Sequence, residues 1–329
     1  MLNKEKDHAI SGINWNTIPD EIDSDVWKRL TTNFWLPEKI ALSNDIPSWN
    51  TLTEDEQDTF MKVLANLTVL DTLQSSAGGP TMMQYARTPH EEAVFANITF
   101  MEAVHARSYS SIFMTLASSE RIDNVFRWAR EDEHVQMKAQ TIEEFYVNAR
   151  NYSDEVYGVM AKAASVLLES FLFYSGFYVA FHWSSHGKLT NSADIIRLIL
   201  RDEGIHGYYI GYKYQLAMAD LDPEIREIVD YEVEKLAYRL FQNEMRFTES
   251  VYDPIGWTED VKTYVRYNLN KAMNNLGYDN IFKGHEVDVK PSILVQMTAD
   301  IQDNQDFFSG SGSTYVVGKA EETTDDDWG

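Results

Sequence analysis

The fold is decided by two short stretches that share one spacing, Glu102-Ala103-Val104-His105 and Glu203-Gly204-Ile205-His206. Each stretch lies within a segment patterned as an amphipathic helix. A glutamate and a histidine three residues apart lie on the same face of a helix, so both side chains can reach one ion. Two such helices can hold two ions between them, which predicts a carboxylate-bridged dimetal site.

Helical phase tests whether the two pairs point into the protein, because a Glu-x-x-His spacing alone is common on solvated faces. At about 100° per residue, Glu102 and His105 fall inside the apolar stripe of their segment. Glu203 and His206 likewise fall inside a stripe that contains Ile199. A buried carboxylate without compensation costs several kcal/mol, so both pairs need a charge or proton partner.

A third pair with the same spacing, Glu131 and His134, provides an internal comparison. Its apolar neighbours, which include Val125 and Ala129, mark a face roughly opposite Glu131. The pair is therefore predicted to lie on a solvated face and not to bind metal.

Two further carboxylates lie on apolar helical faces elsewhere in the chain, Asp71 and Glu169. Each precedes one of the Glu-x-x-His pairs, so each half of the chain contributes a lone carboxylate and a pair. This is the arrangement of ferritin-like dimetal bundles, and it predicts an all-α, ferritin-like helical bundle with a dimetal-carboxylate site in its core. Four carboxylates balance the charge of two divalent ions, and oxygen donors with one imidazole per ion suit iron or manganese.

The composition excludes several other classes of protein. A net charge of −24 at pH 7 argues against a nucleic-acid surface, which needs clustered cations. The absence of cysteine leaves no thiolate ligand, disulfide or thiol nucleophile. The first residues are polar, with no apolar stretch that could serve as a signal sequence, so a cytoplasmic location is expected. Val166–Phe181 is apolar on almost every side but too short and too interrupted to span a membrane, which predicts a central core helix.

Most of the chain has helical periodicity, and turn residues separate the segments. Thr53 with Glu56 forms a predicted capping box at the start of the first long helix. The chain is expected to divide into an irregular N-terminal arm (1–45), a ferritin-like helical domain (46–300) and a flexible acidic tail (301–329). The predicted long helices span 54–75, 90–118, 121–149, 153–184, 192–219, 222–251 and 257–276.

Tyr109 lies one helical turn after His105 on the same apolar face. An aromatic residue there is normally packing. Beside an oxidising dimetal centre, however, a buried phenol can lose an electron and a proton and so become a radical protected from solvent.

This combination of residues resembles the radical-generating small (beta) subunit of class I ribonucleotide reductase over nearly the whole chain, and its compact length resembles the class Ib branch. The resemblance implies that Tyr109 is the radical site and that Phe173, Phe177 and Ile199 form an apolar shield around it. It also implies the following assignments. The metal ligands are Asp71, Glu102, His105, Glu169, Glu203 and His206. Radical transfer uses Trp35, Asp202, His105 and, in the tail, Tyr315. The oxidant reaches the metals past Ser170 and Tyr174.

The resemblance further implies the cofactor and the partners. Nucleotides are reduced by cysteines of a large (alpha) subunit, to which the acidic tail docks, so the small subunit makes and delivers the oxidising equivalent. The class Ib branch implies two manganese ions oxidised through a flavodoxin-like activating protein, although two iron ions can also serve. A homodimer is implied as well.

Two other functions remain open at the level of the sequence. A ferritin-like oxidase acting directly on an apolar substrate would need a tunnel to the metals and leaves Trp35, Tyr315 and the acidic tail unexplained. A metal store or purely structural bundle would bind many ions per chain or none.

Overall fold

The computed structural model describes residues 11–147 and 153–297, and within these ranges every regular element is a helix. The helices are α1 (Glu21–Thr32), α2 (Ile46–Trp49), α3 (Glu54–Leu73), α4 (Gly79–Gln84), α5 (Pro89–Leu116), α6 (Ser119–Glu131), α7 (Glu133–Val147), α8 (Asp154–Leu167), α9 (Tyr174–Ser185), α10 (Thr190–Ala219), α11 (Pro223–Tyr252) and α12 (Thr258–Asn275). π-Helical turns, Gln74–Gly78 and Leu168–Leu172, follow α3 and α8.

Side-chain caps explain where the long helices begin. The Thr53 hydroxyl accepts from the Glu56 N–H while the Glu56 carboxylate accepts from the Thr53 N–H, which confirms the predicted capping box at α3. Thr88 caps α5 by accepting from the Glu91 N–H, and Pro89 follows it in the first helical turn. Ser118 and Ser153 cap α6 and α8 in the same way.

The site is positioned by four packed units: α3, α5, α10 and the nearly continuous rod of α8, its π-helical turn and α9. α3 packs on α5, α8 packs on α10, and α9 packs on both α3 and α10. α9 approaches α3 closely at Gly176, where a Cβ atom would lie 2.7 Å from the Leu67 side chain. A larger residue at position 176 would therefore separate the two helices.

The α8–α9 rod, Val156–Ser185, is long and apolar enough to cross a membrane, but its apolar window is entirely buried inside the protein. Other helices cover it on all sides. The prediction that Val166–Phe181 is a core helix is therefore confirmed.

The structure corrects two predictions about helices. The N-terminal arm is not wholly irregular, because α1 forms there, capped by Asp20, with Val26 and Leu30 buried. The predicted helix 121–149 is broken at Asp132. The Asp132 carboxylate accepts from the N–H groups of His134 and Val135, so it ends α6 and caps α7. The predicted division into arm, bundle and tail stays a prediction, and the tail lies outside the described residues.

Candidate dimetal site

The four units bring the six predicted ligands together in the core. Asp71 lies in the last turn of α3, Glu102 and His105 lie in the middle of α5, and Glu203 and His206 lie in the middle of α10. Glu169 lies in the π-helical turn after α8, a distortion that is frequent at functional sites. The relative exposure of all six side chains is 0%.

The ligand atoms form two overlapping groups. One group contains Asp71, Glu102, His105 and Glu203, the other contains Glu102, Glu169, Glu203 and His206, and within each group these atoms lie within 4.8 Å of one another. Glu102 and Glu203 belong to both groups. His105 Nδ1 is 3.0 Å from Glu203 Oε1, and His206 Nδ1 is 2.8 Å from Glu102 Oε1. The two shared carboxylates therefore lie between the two imidazoles, as bridging ligands of two ions would.

The donor atoms of the cluster are almost all unsatisfied. Both carboxylate oxygens of Asp71, Glu102 and Glu203, Oε2 of Glu169 and Nδ1 of each histidine are buried, and they approach one another without making a hydrogen bond of good geometry. Buried polar atoms normally have hydrogen-bond partners, so a cluster of this kind requires another source of compensation. Two cations placed among these atoms would satisfy them and neutralise four carboxylates. The residues therefore fit a dimetal site.

Without metal, the cluster has to hold protons. Burial and the neighbouring Glu102 carboxylate raise the pKa of Asp71, and burial with Glu102 and Glu203 raises the pKa of Glu169. Burial alone would lower the pKa of His105 and His206, but the surrounding carboxylates raise it well above its usual value. Glu102 differs, because the two histidines outweigh burial and lower its pKa to about 2.

These shifts predict how the stability of the metal-free protein depends on pH. The carboxyl groups of Asp71 and Glu169 and the imidazoles of His105 and His206 have pKa values raised by folding. Between about pH 5 and pH 8 the folded metal-free protein therefore binds more protons than the unfolded chain, and its stability falls as pH rises. Each excess proton contributes about 1.4 kcal/mol per pH unit.

The test is the melting temperature of metal-free and metal-loaded protein across that range. The metal-free protein should melt lower at higher pH. Its affinity for metal should rise over the same range, because the ligands must lose their protons to bind. A melting temperature of the metal-free protein that rises steadily from about pH 5 to pH 8 would contradict the assignment of these protons.

A hydrogen-bonded chain connects the cluster to Trp35. The Trp35 indole N–H donates to Asp202 Oδ2 at 2.7 Å, and the same oxygen is 3.2 Å from His105 Nε2. A carboxylate only accepts, so His105 carries a proton on Nε2, and on metal binding the proton lost would be the one on Nδ1. Asp202 and Trp35 are buried. The Arg201 guanidinium donates to the Asn33 carbonyl at 2.7 Å and so holds the backbone just before Trp35 in place. The structure thus connects Trp35, Asp202 and His105 in the predicted order.

Tyr109 is fully buried, and its phenol oxygen has no hydrogen-bond partner. Burial and then the nearby Asp71 carboxylate raise the pKa of the phenol, so it stays protonated at neutral pH. The predicted shield residues Phe173, Phe177 and Ile199 also have no exposed surface. These residues are buried as a shield requires, and their place around Tyr109 stays a prediction.

Ser170 and Tyr174 follow Glu169 at the other side of the cluster. The Asn275 amide donates to Ser170 Oγ at 3.0 Å, and the Lys271 ammonium lies 5.4 Å from the centre of the Tyr174 ring. Burial, followed by the Glu203 carboxylate, raises the pKa of Tyr174. The sequence did not single out Asn275 and Lys271, which lie about one helical turn apart on α12.

The comparison pair Glu131 and His134 lies outside the cluster. Glu131 is exposed at the end of α6, whereas His134 is half-buried in α7, where its ring lies 3.3 Å from the Asn243 side-chain oxygen. The two residues are not on one continuous helix, so their spacing has no bearing on a shared ion. Tyr315, the remaining predicted relay residue, lies outside the described residues.

Comparisons with known proteins agree with this site. The protein-family model for the small chain of ribonucleotide reductase matches residues 12–291. The chain belongs to this family. It is 54% identical over 320 residues to a beta subunit (nrdF2) of ribonucleoside-diphosphate reductase from Mycobacterium tuberculosis, covering 97% of this chain and 96% of that protein. It is 52% identical over 319 residues to the beta subunit of ribonucleoside-diphosphate reductase 2 from Escherichia coli, covering 97% and 98% of the two chains.

A solved structure shows the same fold. The crystal structure of dimanganese(II)-NrdF from Streptococcus sanguinis superimposes with a TM-score of 0.84 at 47% identity, covering 88% of this chain and all of that one. The predicted ferritin-like bundle, the oxidoreductase family and, through the NrdF relatives, the class Ib branch are thereby confirmed. The family is not that of a store or a direct oxidase of apolar substrates.

Proposed function

We propose that this chain generates and stores a tyrosyl radical at Tyr109 as the beta subunit of a class Ib ribonucleoside-diphosphate reductase. The observation that carries the proposal is the juxtaposition of two unsatisfied ligand groups with a buried phenol that has no partner. Asp71 connects them, because it belongs to the first group and its charge acts on the Tyr109 phenol.

The ligand assignment follows from the two groups. Asp71 and His105 would hold one ion, Glu169 and His206 the other, and Glu102 and Glu203 both. The bound ions would supply the oxidising equivalent. Two manganese ions are favoured by the dimanganese relative, and the oxygen-rich donor set accepts iron as well.

The residues around the metals then perform separate tasks. Tyr109 would give up an electron to the oxidised ions together with its phenolic proton, and the buried Phe173, Phe177 and Ile199 would keep water away from the radical. Asp202 holds His105 in the tautomer that binds metal and connects it to the Trp35 indole. Ser170 and Tyr174 would line the path of the oxidant to the Glu169 side. The oxidising equivalent would leave through Trp35 and Tyr315 to a large subunit, which must supply the cysteines absent from this chain.

The decisive experiment combines metal analysis with electron paramagnetic resonance of the full chain after oxidation. Protein loaded with Mn(II) and treated with a flavodoxin-like activating protein and oxygen should give a tyrosyl signal coupled to a dimetal centre. Protein loaded with Fe(II) and oxygen tests the second metal. If two ions bind but no oxidant produces a tyrosyl signal, the chain does not generate a radical at Tyr109.

A direct oxidase of an apolar substrate is less consistent with the structure. The buried connection from the cluster to Trp35 has no role in such an enzyme. We also propose that the protein is cytoplasmic and that it works with a large subunit and an activating protein.

A homodimer is also proposed, with the outer face of α5 as its interface. Phe100 and Met114 on this face are 54% and 66% exposed, and the Phe100 ring stacks on that of Phe34, which is 49% exposed. Phe34 and Phe100 together form an exposed apolar patch, and such a patch marks an interaction site. The inner face of the same helix carries Glu102 and His105, so the interface would lie directly behind the metals.

Replacing Phe100 with glutamate should convert the dimer to a monomer. In a two-fold interface both subunits contribute the same residue, so the dimer would bury two glutamate side chains. Removing these charges from water costs free energy and opposes association. Light scattering of the wild-type protein and the variant measures the change. Ile228→Glu on α11, which alters an equally exposed residue (57%), should leave the mass unchanged. A Phe100→Glu protein that remains dimeric would place the interface elsewhere.

A further inference from the structure

Glu169 differs from the other three carboxylates of the cluster. Seven of the eight carboxylate oxygens make no hydrogen bond of good geometry, and the exception is Glu169 Oε1. That oxygen accepts a short hydrogen bond from the side-chain amide of Gln74. One ligand is thus held by the protein before any metal arrives.

The Gln74 amide is itself fixed by two other side chains. Its Nε2 also donates to Ser165 Oγ at 2.6 Å, and its Oε1 accepts from the Tyr146 hydroxyl at 2.7 Å. Gln74 and Ser165 have no exposed surface, and Tyr146 is 3% exposed. Because a carboxylate can only accept, the NH₂ end of the amide must face Glu169, and the Tyr146 hydroxyl donates to the other end.

The backbone makes room for this arrangement. Gln74 begins the π-helical turn Gln74–Gly78, and a Cβ atom on Gly78 would lie 2.1 Å from Gln74 Oε1 and 2.8 Å from the Tyr146 ring. A glycine at position 78 therefore allows the phenol to reach the amide. Gln74 follows Asp71 by three residues, so both side chains leave the same face of one helix.

We propose that Gln74 is a positioning residue that, with Tyr146, holds Glu169 as a ligand through Oε2 alone. The inference rests on the proposed ligand assignment. The end of α3 then acts on both metal positions, directly on one through Asp71 and indirectly on the other through Gln74 and Glu169. Asp71, Glu102 and Glu203 have no such restraint from a neighbouring amide, whereas Gln74 would restrict Glu169 to one orientation. Gln74 would therefore fix a ligand at the metal position of His206 that has no fixed counterpart at the position of His105.

The test is a titration of the metal-free full chain with Mn(II), followed by equilibrium binding and electron paramagnetic resonance. Wild-type protein should bind two ions per chain with a spectrum of coupled Mn(II). Gln74→Leu keeps a similar side-chain volume but removes the hydrogen-bond donor to Glu169. It should lower the affinity for one of the two Mn(II) ions by about 10-fold or more. At intermediate loading the variant should show the spectrum of isolated Mn(II). Tyr146→Phe removes only the hydroxyl that holds the Gln74 amide. It should lower the affinity for the same ion by a smaller factor.

Asn66→Leu provides a matched control on the same helix. Asn66 is also fully buried, and neither of its amide atoms has a partner, so its replacement removes a buried amide without touching Glu169. Its two Mn(II) affinities should match the wild type. Equal affinities in Gln74→Leu and the wild type would overturn the positioning role while leaving the ligand assignment intact. A wild-type protein that binds no pair of ions would overturn both.

Discussion

Replacing Tyr109 with phenylalanine should reduce the activity of the complex with the large subunit to the level of the large subunit alone, while two metal ions still bind. The change removes the only oxygen from which the phenol can lose a proton, but none of the six ligands. It should not destabilise the fold, because the buried hydroxyl makes no hydrogen bond of good geometry, and removing such a group is close to neutral. Activity, metal content and melting temperature are measured on the same preparation.

Tyr178→Phe is the matched control for this experiment. Tyr178 is also buried, at 1% exposed, and its hydroxyl also has no partner, but it is not among the groups that act on the metal ligands. The control should keep a similar melting temperature, full activity and the full radical signal. A Tyr109→Phe protein with wild-type activity would show that the oxidising equivalent is not stored on this residue.

The cluster could be predicted from the sequence because helical phase is a local property. Glu102, His105, Glu203 and His206 interrupt apolar stripes within single helices, so their burial follows from about 100° per residue without knowledge of the neighbours. Lone carboxylates on other apolar faces, Asp71 and Glu169, are detected in the same way. The comparison pair Glu131 and His134 was separated from them by phase, although the helix break at Asp132 was not foreseen.

Residues that act through several elements could not be predicted in this way. Gln74 lies three residues after Asp71, yet its role depends on Tyr146 from α7, on Ser165 from α8 and on the π-helical turn that holds Glu169. No periodicity within α3 indicates that these groups meet. The π-helical turns could not be predicted either, because the sequence analysis assumes the constant 100° per residue of an α-helix. The sequence does not predict α1, because its short apolar face contains only a few buried residues.

Disconnecting Trp35 from the cluster should have the second largest effect, on activity alone. Trp35→Phe removes the indole N–H that donates to Asp202 Oδ2 but leaves all six ligands, including His105, in place. The variant should bind two ions and form the Tyr109 radical in normal yield, while activity with the large subunit falls to background. The radical should also persist during turnover conditions, because it has no route out of the core.

Asp202→Asn separates the two tasks of this carboxylate. Its Oδ2 accepts from Trp35 and fixes the tautomer of His105, so the substitution should both interrupt the connection and weaken metal binding by roughly 10- to 100-fold. Trp35→Phe should show the first effect without the second. Comparing metal affinity, radical yield and activity in the two variants therefore divides the role of Asp202 into its positioning of His105 and its contact with the indole.

The control for a lost indole is Trp49→Phe. Trp49 is 4% exposed, and its ring packs on Phe60 in the core. Replacing it with phenylalanine should therefore remove a similar amount of packing as Trp35→Phe does, but it leaves the hydrogen bonds of Asp202 unchanged. Since the Trp35 and Trp49 variants lose comparable buried area, any difference in activity between them reports on the connection to the metals and not on stability. Full activity in Trp35→Phe, with the radical consumed and regenerated at the wild-type rate, would mean that the oxidising equivalent leaves the core by another path.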